Sequence, residues 1–310
     1  MLRIEKYYSE KKNEWDSFLT ESRNGTFLFY RDYMDYHSDR YNENSLMIYL
    51  DDKLIALFPA NLKEDILNSH GYLTYGGLIV NSKMKTTKMM SIISELINYC
   101  RKNGINQIIY KAIPHIYHSE PSEEDLYALF RSNTKLIRRE VSSCIYIPTL
   151  KIPYNRKNGY NKAAKMGVVL RDTNDYDSFV AIANSTLEHK YGTKTTHSAG
   201  ELTLLGKRFP NNIRFYGAYL NEEMLGGAVI FQNKQTAHAQ YLHSSQYGKE
   251  LRAMDFIIIS LLTNQYKDYR YFDFGYSTED GGKYLNESLI NQKEEYSASA
   301  VCYDTYLLEM

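Results

Sequence analysis

Apolar residues recur at Met89, Ile92, Ile93, Leu96, Ile97 and Cys100, three or four apart. That spacing predicts an amphipathic helix over Thr86–Lys102, closed by Asn103-Gly104 as a left-handed cap. Short apolar runs bounded by turn residues predict strands: Ser45–Leu50 and Leu54–Ala60 about an Asp51-Asp52 turn, then Gln107–Lys111 and Glu140–Ile147. Pro121-Ser122 opens a helix carrying Leu126, Leu129 and Phe130. Shorter helices are expected at Trp15–Glu21 and Arg31–His37. Pro148–Asn158 reads as a domain junction.

Beyond it the programme is repeated. Helices are expected at Phe179–His189, Ala199–Arg208, Ala253–Gln265 and Lys283–Glu295. Strands are expected at Arg214–Leu220, Gly227–Phe231, Thr236–Ser244, Tyr269–Phe274 and within Ser299–Leu308. The long helix, the strand after it and the next helix recur about 160 residues later without residue-level identity. The expected class is therefore α/β (α+β), with an N-terminal domain over 1–150 and a C-terminal domain over 155–310, each a mixed sheet flanked by helices. The order of strand hairpins, helix, strand, helix, strand resembles the acyltransferase fold of the GNAT (Gcn5-related N-acetyltransferase) superfamily.

Composition narrows the function classes. The 37 basic residues balance 37 acidic ones, so no global field favours DNA or another polyanion. The apolar run Phe256–Leu262 is too short to span a bilayer, and MLRIEKYYSEKK lacks a signal-peptide pattern; the expectation is a cytoplasmic protein. Cys100, Cys144 and Cys302 lie far apart, which fits a reducing compartment and offers no disulfide or metal framework. His115 and His118 lie close but lack a third ligand at fixed spacing, so no metal is expected. Tyrosine is abundant, at 30 residues against 12 Phe and 1 Trp; its apolar body and polar tip suit a wet groove, although codon bias produces the same excess.

The chemistry concentrates in Ala237–Glu279. A strand leads into Gln246-Tyr247-Gly248-Lys249-Glu250-Leu251-Arg252, and a buried helix follows. Free amides at a helix start, beside Lys249 and Arg252, suit a phosphate or pyrophosphate. Gly248, Lys249 and Arg252 are thus donor-binding candidates; the turn loosely resembles the Q/R-x-x-G-x-G/A loop of GNAT enzymes, which adds Gln246, and Gly248→Val is expected to weaken donor binding with the fold intact. The equivalent place in the first half, Asn81–Thr87, has charge but no Gly, so one donor site per chain is expected. In the strand before the turn, odd spacing sets His238 and His243 on opposite faces, with His238 beside Gln240. Arg156, Lys157, Lys162 and Lys165 form a basic run that reads as a solvated helix face or an anion contact.

The run Tyr271–Glu279, then Gly281–Asn286 and Lys293-Glu294-Glu295-Tyr296, resembles the C-terminal half of the Fem-type peptidoglycan bridge aminoacyltransferases and their FemAB-like GNAT relatives. Arg31–Met34, Pro59–Asn61, Thr74–Gly77, Tyr110–His118 and Asn161–Val168 extend the resemblance over nearly the whole chain. The chain lacks the long coiled-coil arm of several tRNA-dependent members. The resemblance implies transfer of an acyl group, acetyl foremost, from a CoA thioester to an amine on a small molecule or a cell-wall or glycan precursor. Two alternatives stay open: aminoacyl-tRNA-dependent bridge extension, and a glycan or nucleotide binder that lost the chemistry. Acyl transfer to an amine needs a base and an acid. Asp273, Glu279 and His238 are the candidate bases; Tyr276 and Tyr296 are the candidate acids. Tyr75, Lys111, His118, Ser277 and Lys283 are the expected acceptor lining, where polar loops at strand ends meet a cleft between domains.

Overall fold

The computed structural model describes the backbone of residues 1–310 and all side chains except those of His37, His189, Lys190 and Tyr191. In chain order the first half comprises β1 (Leu2–Lys6), α1 (Lys12–Thr20), α2 (Arg31–Met34), β2 (Asn42–Glu43), β3 (Leu46–Leu50), β4 (Lys53–Phe58), β5 (Asn61–Lys63), β6 (Ile66–Asn68), β7 (Ile79–Val80), α3 (Thr86–Lys102), β8 (Gln107–Lys111), α4 (Glu124–Arg131) and β9 (Lys135–Tyr146). The second half comprises α5 (Tyr154–Lys165), β10 (Val169–Asp172), α6 (Tyr176–Tyr191), α7 (Ala199–Arg208), β11 (Ile213–Leu220), β12 (Glu223–Gln232), β13 (Thr236–Ser244), α8 (Gln246–Glu250), α9 (Ala253–Ser260), β14 (Tyr271–Tyr276), β15 (Thr278–Glu279), β16 (Tyr284–Leu285), α10 (Glu287–Glu294) and β17 (Ser299–Glu309).

The chain divides into two compact units. One holds Met1–Val141, Thr278–Leu285 and Cys302–Met310; the other holds Ser142–Ser277 and Asn286–Val301. In the first unit an antiparallel sheet runs β1-β3-β4-β7, and β6 lies parallel to β8 with the end of β17 on its other edge. Met89, Ile92, Ile93, Leu96 and Cys100 bury the periodic face of α3 in this unit's core, as their spacing requires. Asp51 and Asp52 both adopt positive φ, the conformation of a two-residue hairpin turn with the hand that matches strand twist.

In the second unit β10, β11, β12 and β13 pair antiparallel in sequence order, and β13 then pairs parallel with β14. Ala253, Phe256 and Ile257 of α9, and Leu261 just after it, pack with Ala228, Ile230, Ala237 and Ala239 of the sheet. Two of the departures from the sequence expectation concern where a helix begins. The supposed junction before Asn158 is already helical, because Pro153 caps α5 rather than breaking the chain. The helix expected from Lys283 begins at Glu287, since Gly281 and Gly282 take positive φ and turn the chain through the β15–β16 hairpin; the Asn286 side chain then caps Leu289 N. Among the described residues no helix is long and apolar enough to cross a membrane.

Candidate active site

A parallel pair that comes apart builds the site. β13 and β14 pair only over Thr236–His238 and Tyr271–Asp273. Gly275, at φ +75°, then bends β14 away, and its N–H donates to Asp273 Oδ1 at 3.2 Å. The remainder of β13, Ala239–Ser244, lines a cavity of about 570 Å³ together with Phe274, α9, α10 and Arg156 of α5. Among the described residues, all that line it belong to the second unit.

A β-bulge decides which side chains face where. Ile230 pairs with Ala239 and Val229 with Tyr241, so Gln240 is an extra residue. Counted along β12, the partners of His238, Tyr241 and His243 are Phe231, Val229 and Gly227, two residues apart each time. All three side chains therefore share one face. The expectation that His238 and His243 point to opposite faces is overturned, because the bulge reverses parity between them. The shared face is the α6 face: the His243 ring lies 6.0 Å from that of Phe179.

The predicted bases Asp273 and His238 meet. His238 Nδ1 lies 2.7 Å from Asp273 Oδ2, and the fully buried Asp273 also accepts from Ser142 Oγ. A carboxylate so occupied orients the imidazole. Tyr296 lines the cavity, but its hydroxyl donates to Asp255 Oδ1 at 2.5 Å, and burial pushes its pKa far up. Tyr276 is half-exposed at the end of β14. Ser277 is buried, and its Oγ accepts from Lys293 Nζ at 2.8 Å. Lys293 also donates to the carbonyls of Gly275 and Tyr276, which pins the bent end of β14; burial lowers its pKa to about 8 against the opposing pull of Asp273.

Glu279 and Lys283, in the β15–β16 region, belong to the first unit, as do Tyr75, Lys111 and His118. Tyr75 is buried against Tyr117, with ring centroids 4.5 Å apart. Lys111 Nζ donates to Leu73 O; burial, then Arg138, lowers its pKa to about 7, with Glu140 opposing. His118 Nε2 lies 3.0 Å from Ile113 O.

The donor turn differs most from its sequence reading. Gln246–Glu250 is a short helix, and Ser245 caps it by accepting from Gly248 N at 3.0 Å. A Cβ on Gly248 would stand 2.1 Å from the backbone oxygen of Leu225, which is why glycine is needed there. Gly248→Val should therefore lower stability by about 1–3 kcal/mol through overpacking, read as an earlier thermal midpoint. An unchanged midpoint would show that Leu225 yields. Arg252, at φ +64°, is the cap of α9, and its Nε lies 2.6 Å from Asp255 Oδ2. Asp255 is buried, and Arg156 Nη1 reaches its Oδ1 at 2.9 Å. The first turn of α9 thus carries its own anion. Sequence reasoning missed Asp255 and Tyr241; His243 was set on the face opposite His238, Lys293 stood only within the resemblance and Arg156 only within the basic run; all of them line the cavity. The polar residues within the AHAQYLHSS strand were the available signal.

Arg156, Lys249, Arg252 and Lys293 against Asp255 leave the cavity wall positive. Met254, Ile258, Phe274 and Leu289 give it an apolar floor. Among the described residues no group of three or more His, Cys, Asp or Glu could hold a metal ion.

No protein-family model matches the chain, and no curated protein sequence matches it. Solved structures do. FemX matches at 10% identity over 99% of this chain and 97% of its own, with a TM-score of 0.71. The fold is the FemAB-like GNAT-superfamily fold. L-PGS from Bacillus licheniformis matches at 14% identity over 98% of this chain and 92% of its own, with a TM-score of 0.62. A tandem GNAT protein from the clavulanic acid biosynthesis pathway matches at 8% identity over 100% and 98%, with a TM-score of 0.51. At these identities the likeness concerns the FemAB-like fold, and the chemistry rests on the chain's own residues.

Proposed function

We propose that this protein is an acyltransferase, moving an acyl group from a CoA thioester to an amine in the cleft where β13 and β14 separate. The observation that carries the reading is the cleft itself: one wall is the backbone edge of Ala239–Ser244, the floor is apolar, and Lys249 and Arg252 are on the rim. An extended donor arm can pair its amides with a strand edge. The apolar floor takes its acyl-bearing end, and the cations take its phosphates.

One observation favours a second reading. Asp255 occupies the first turn of α9, where a pyrophosphate would otherwise sit, and like charges repel there. An aminoacyl ester on RNA needs no pyrophosphate at that turn. Calorimetric titration separates the readings. With acetyl-CoA the expected stoichiometry is one per chain, and Lys249→Ala should weaken binding by about 0.3–1 kcal/mol, the range for a cation on an exposed rim. Binding of alanyl-tRNA without acetyl-CoA would replace the first reading by the second. Binding of neither would leave a non-catalytic binder of this fold.

A further inference from the structure

The bulge at Gln240 has a chemical consequence. Without it, Tyr241 would lie on the same face as Ala239, packed towards α9; with it, Tyr241 joins His238 and His243 on the α6 face and lines the cavity. There its hydroxyl lies 2.6 Å from Nδ1 of His197, a histidine only 7% exposed in the segment between α6 and α7. The two rings meet edge to face, with centroids 5.9 Å apart. The segment that presents His197 is itself held: Thr195 N donates to Asn184 Oδ1 of α6 at 2.9 Å, and Thr195 Oγ1 donates to the His197 carbonyl at 2.8 Å. Burial raises the pKa of the Tyr241 phenol, opposed by Thr196, the His197 backbone and Gln240, with Glu201 adding to the rise. A phenol that lines a cavity and is oriented by a buried imidazole has the parts of a proton relay. Tyr296, the cavity's other lining phenol that the sequence singled out, has its proton committed to Asp255.

We propose that Tyr241 is the catalytic acid and base of the cleft and that His197 is its positioning and proton-holding partner, a proposal that rests on the acyl-transfer reading. The amine attacks the acyl carbon, and a C–N bond forms. The proton leaving the nitrogen goes to the Tyr241 oxygen as the phenol passes its own proton to His197 Nδ1. The bond from the acyl carbon to the leaving group then breaks, and its electron pair stays with the leaving sulfur or oxygen. Tyr241 gives that atom a proton and recovers one from His197. Net, one proton moves from nitrogen to the leaving group, and no other reactant is consumed.

The test uses the full chain with acetyl-CoA and hydroxylamine as probes, and hydroxamate formation as the readout; alanyl-tRNA replaces acetyl-CoA as donor if the latter is inert. Tyr241→Phe keeps the ring and removes one oxygen. It should lower kcat by about 10²–10⁴-fold, the usual share of general acid–base catalysis, while donor affinity by calorimetry stays the same. His197→Gln should lower kcat less and remove the acidic limb of the pH profile, with both variants keeping the circular dichroism spectrum of the wild type. Nitrogen-15 spectra of labelled histidine supply an arm independent of turnover: His197 should carry its proton on Nε2 in the wild type and lose that fixed tautomer in Tyr241→Phe. An active wild type with equally active Tyr241→Phe overturns the relay and leaves acyl transfer standing. A wild type inert with both donors overturns acyl transfer and the relay together.

Discussion

Asp255→Ala should cost about 3–5 kcal/mol of unfolding free energy, because it strands a buried guanidinium. Arg156 is 7% exposed, and its Nη1 lies 2.9 Å from Asp255 Oδ1. Its ring-face contact with Tyr296, at 4.2 Å, and its bond to Glu295 remain in the variant, but Glu295 is half-exposed and holds the outer edge only. Tyr296 would lose its acceptor in the same step. Glu295→Ala, which removes an ion pair open to solvent, should cost under about 1 kcal/mol. The double variant Asp255→Leu with Arg156→Met removes both charges and should recover most of the loss. Urea unfolding at neutral pH measures all three. A single-site loss no larger than that of Glu295→Ala would show that water reaches Arg156 once the carboxylate is gone. The network also bears on function, since Asp255, Arg156 and Tyr296 form one end of the cavity wall.

Much of this architecture was legible in local pattern. α3 spans the residues its periodicity marked, and α7, β8 and β13 begin and end where their runs do. Local pattern fails where a non-local partner decides. Gly159 inside α5 lowers helix propensity, yet a Cβ there would stand 2.0 Å from Asp255 Oδ2, so the glycine serves the packing of α5 on α9. Gly248 is similar: its sequence context suits a phosphate turn, and the backbone of Leu225 supplies a sufficient reason for it. The meeting of His238 with Asp273 depends on parallel pairing across 35 residues of chain, which spacing alone does not encode. The bulge at Gln240 is the sharpest case. One unpaired residue reverses the facing of everything after it, and nothing in the string AHAQYLHSS marks which residue is extra. The face of Tyr241 was beyond reach for that reason, and the proposed relay with it.

Acid should destabilise the second unit more steeply than the first. Burial, with Lys249 adding to it, lowers the pKa of His243 from 6.5 to about 4. Burial lowers His118 equally far, against a backbone hydrogen bond to Ile113. A histidine held neutral in the folded chain contributes stability that is complete above its unfolded pKa of 6.5 and is lost as pH falls towards the folded value. Each such shift is worth about 3 kcal/mol. The first unit carries an opposing group. Burial raises Asp125 from 3.8 to about 6, so the cost of its charge is relieved as pH falls through that same window. His118 and Asp125 therefore offset each other, whereas His243 acts in the second unit. Trp15, the chain's one tryptophan, is buried in the first unit and reports it by fluorescence. Hydrogen exchange of the α9 amides reports the second. Between pH 6.5 and 4 the protection of α9 should fall further than the stability sensed at Trp15. His243→Gln, which cannot charge, should flatten the α9 response and leave the Trp15 response unchanged. If α9 protection falls as steeply in His243→Gln as in the wild type, His243 is not the group that acid charges in this unit.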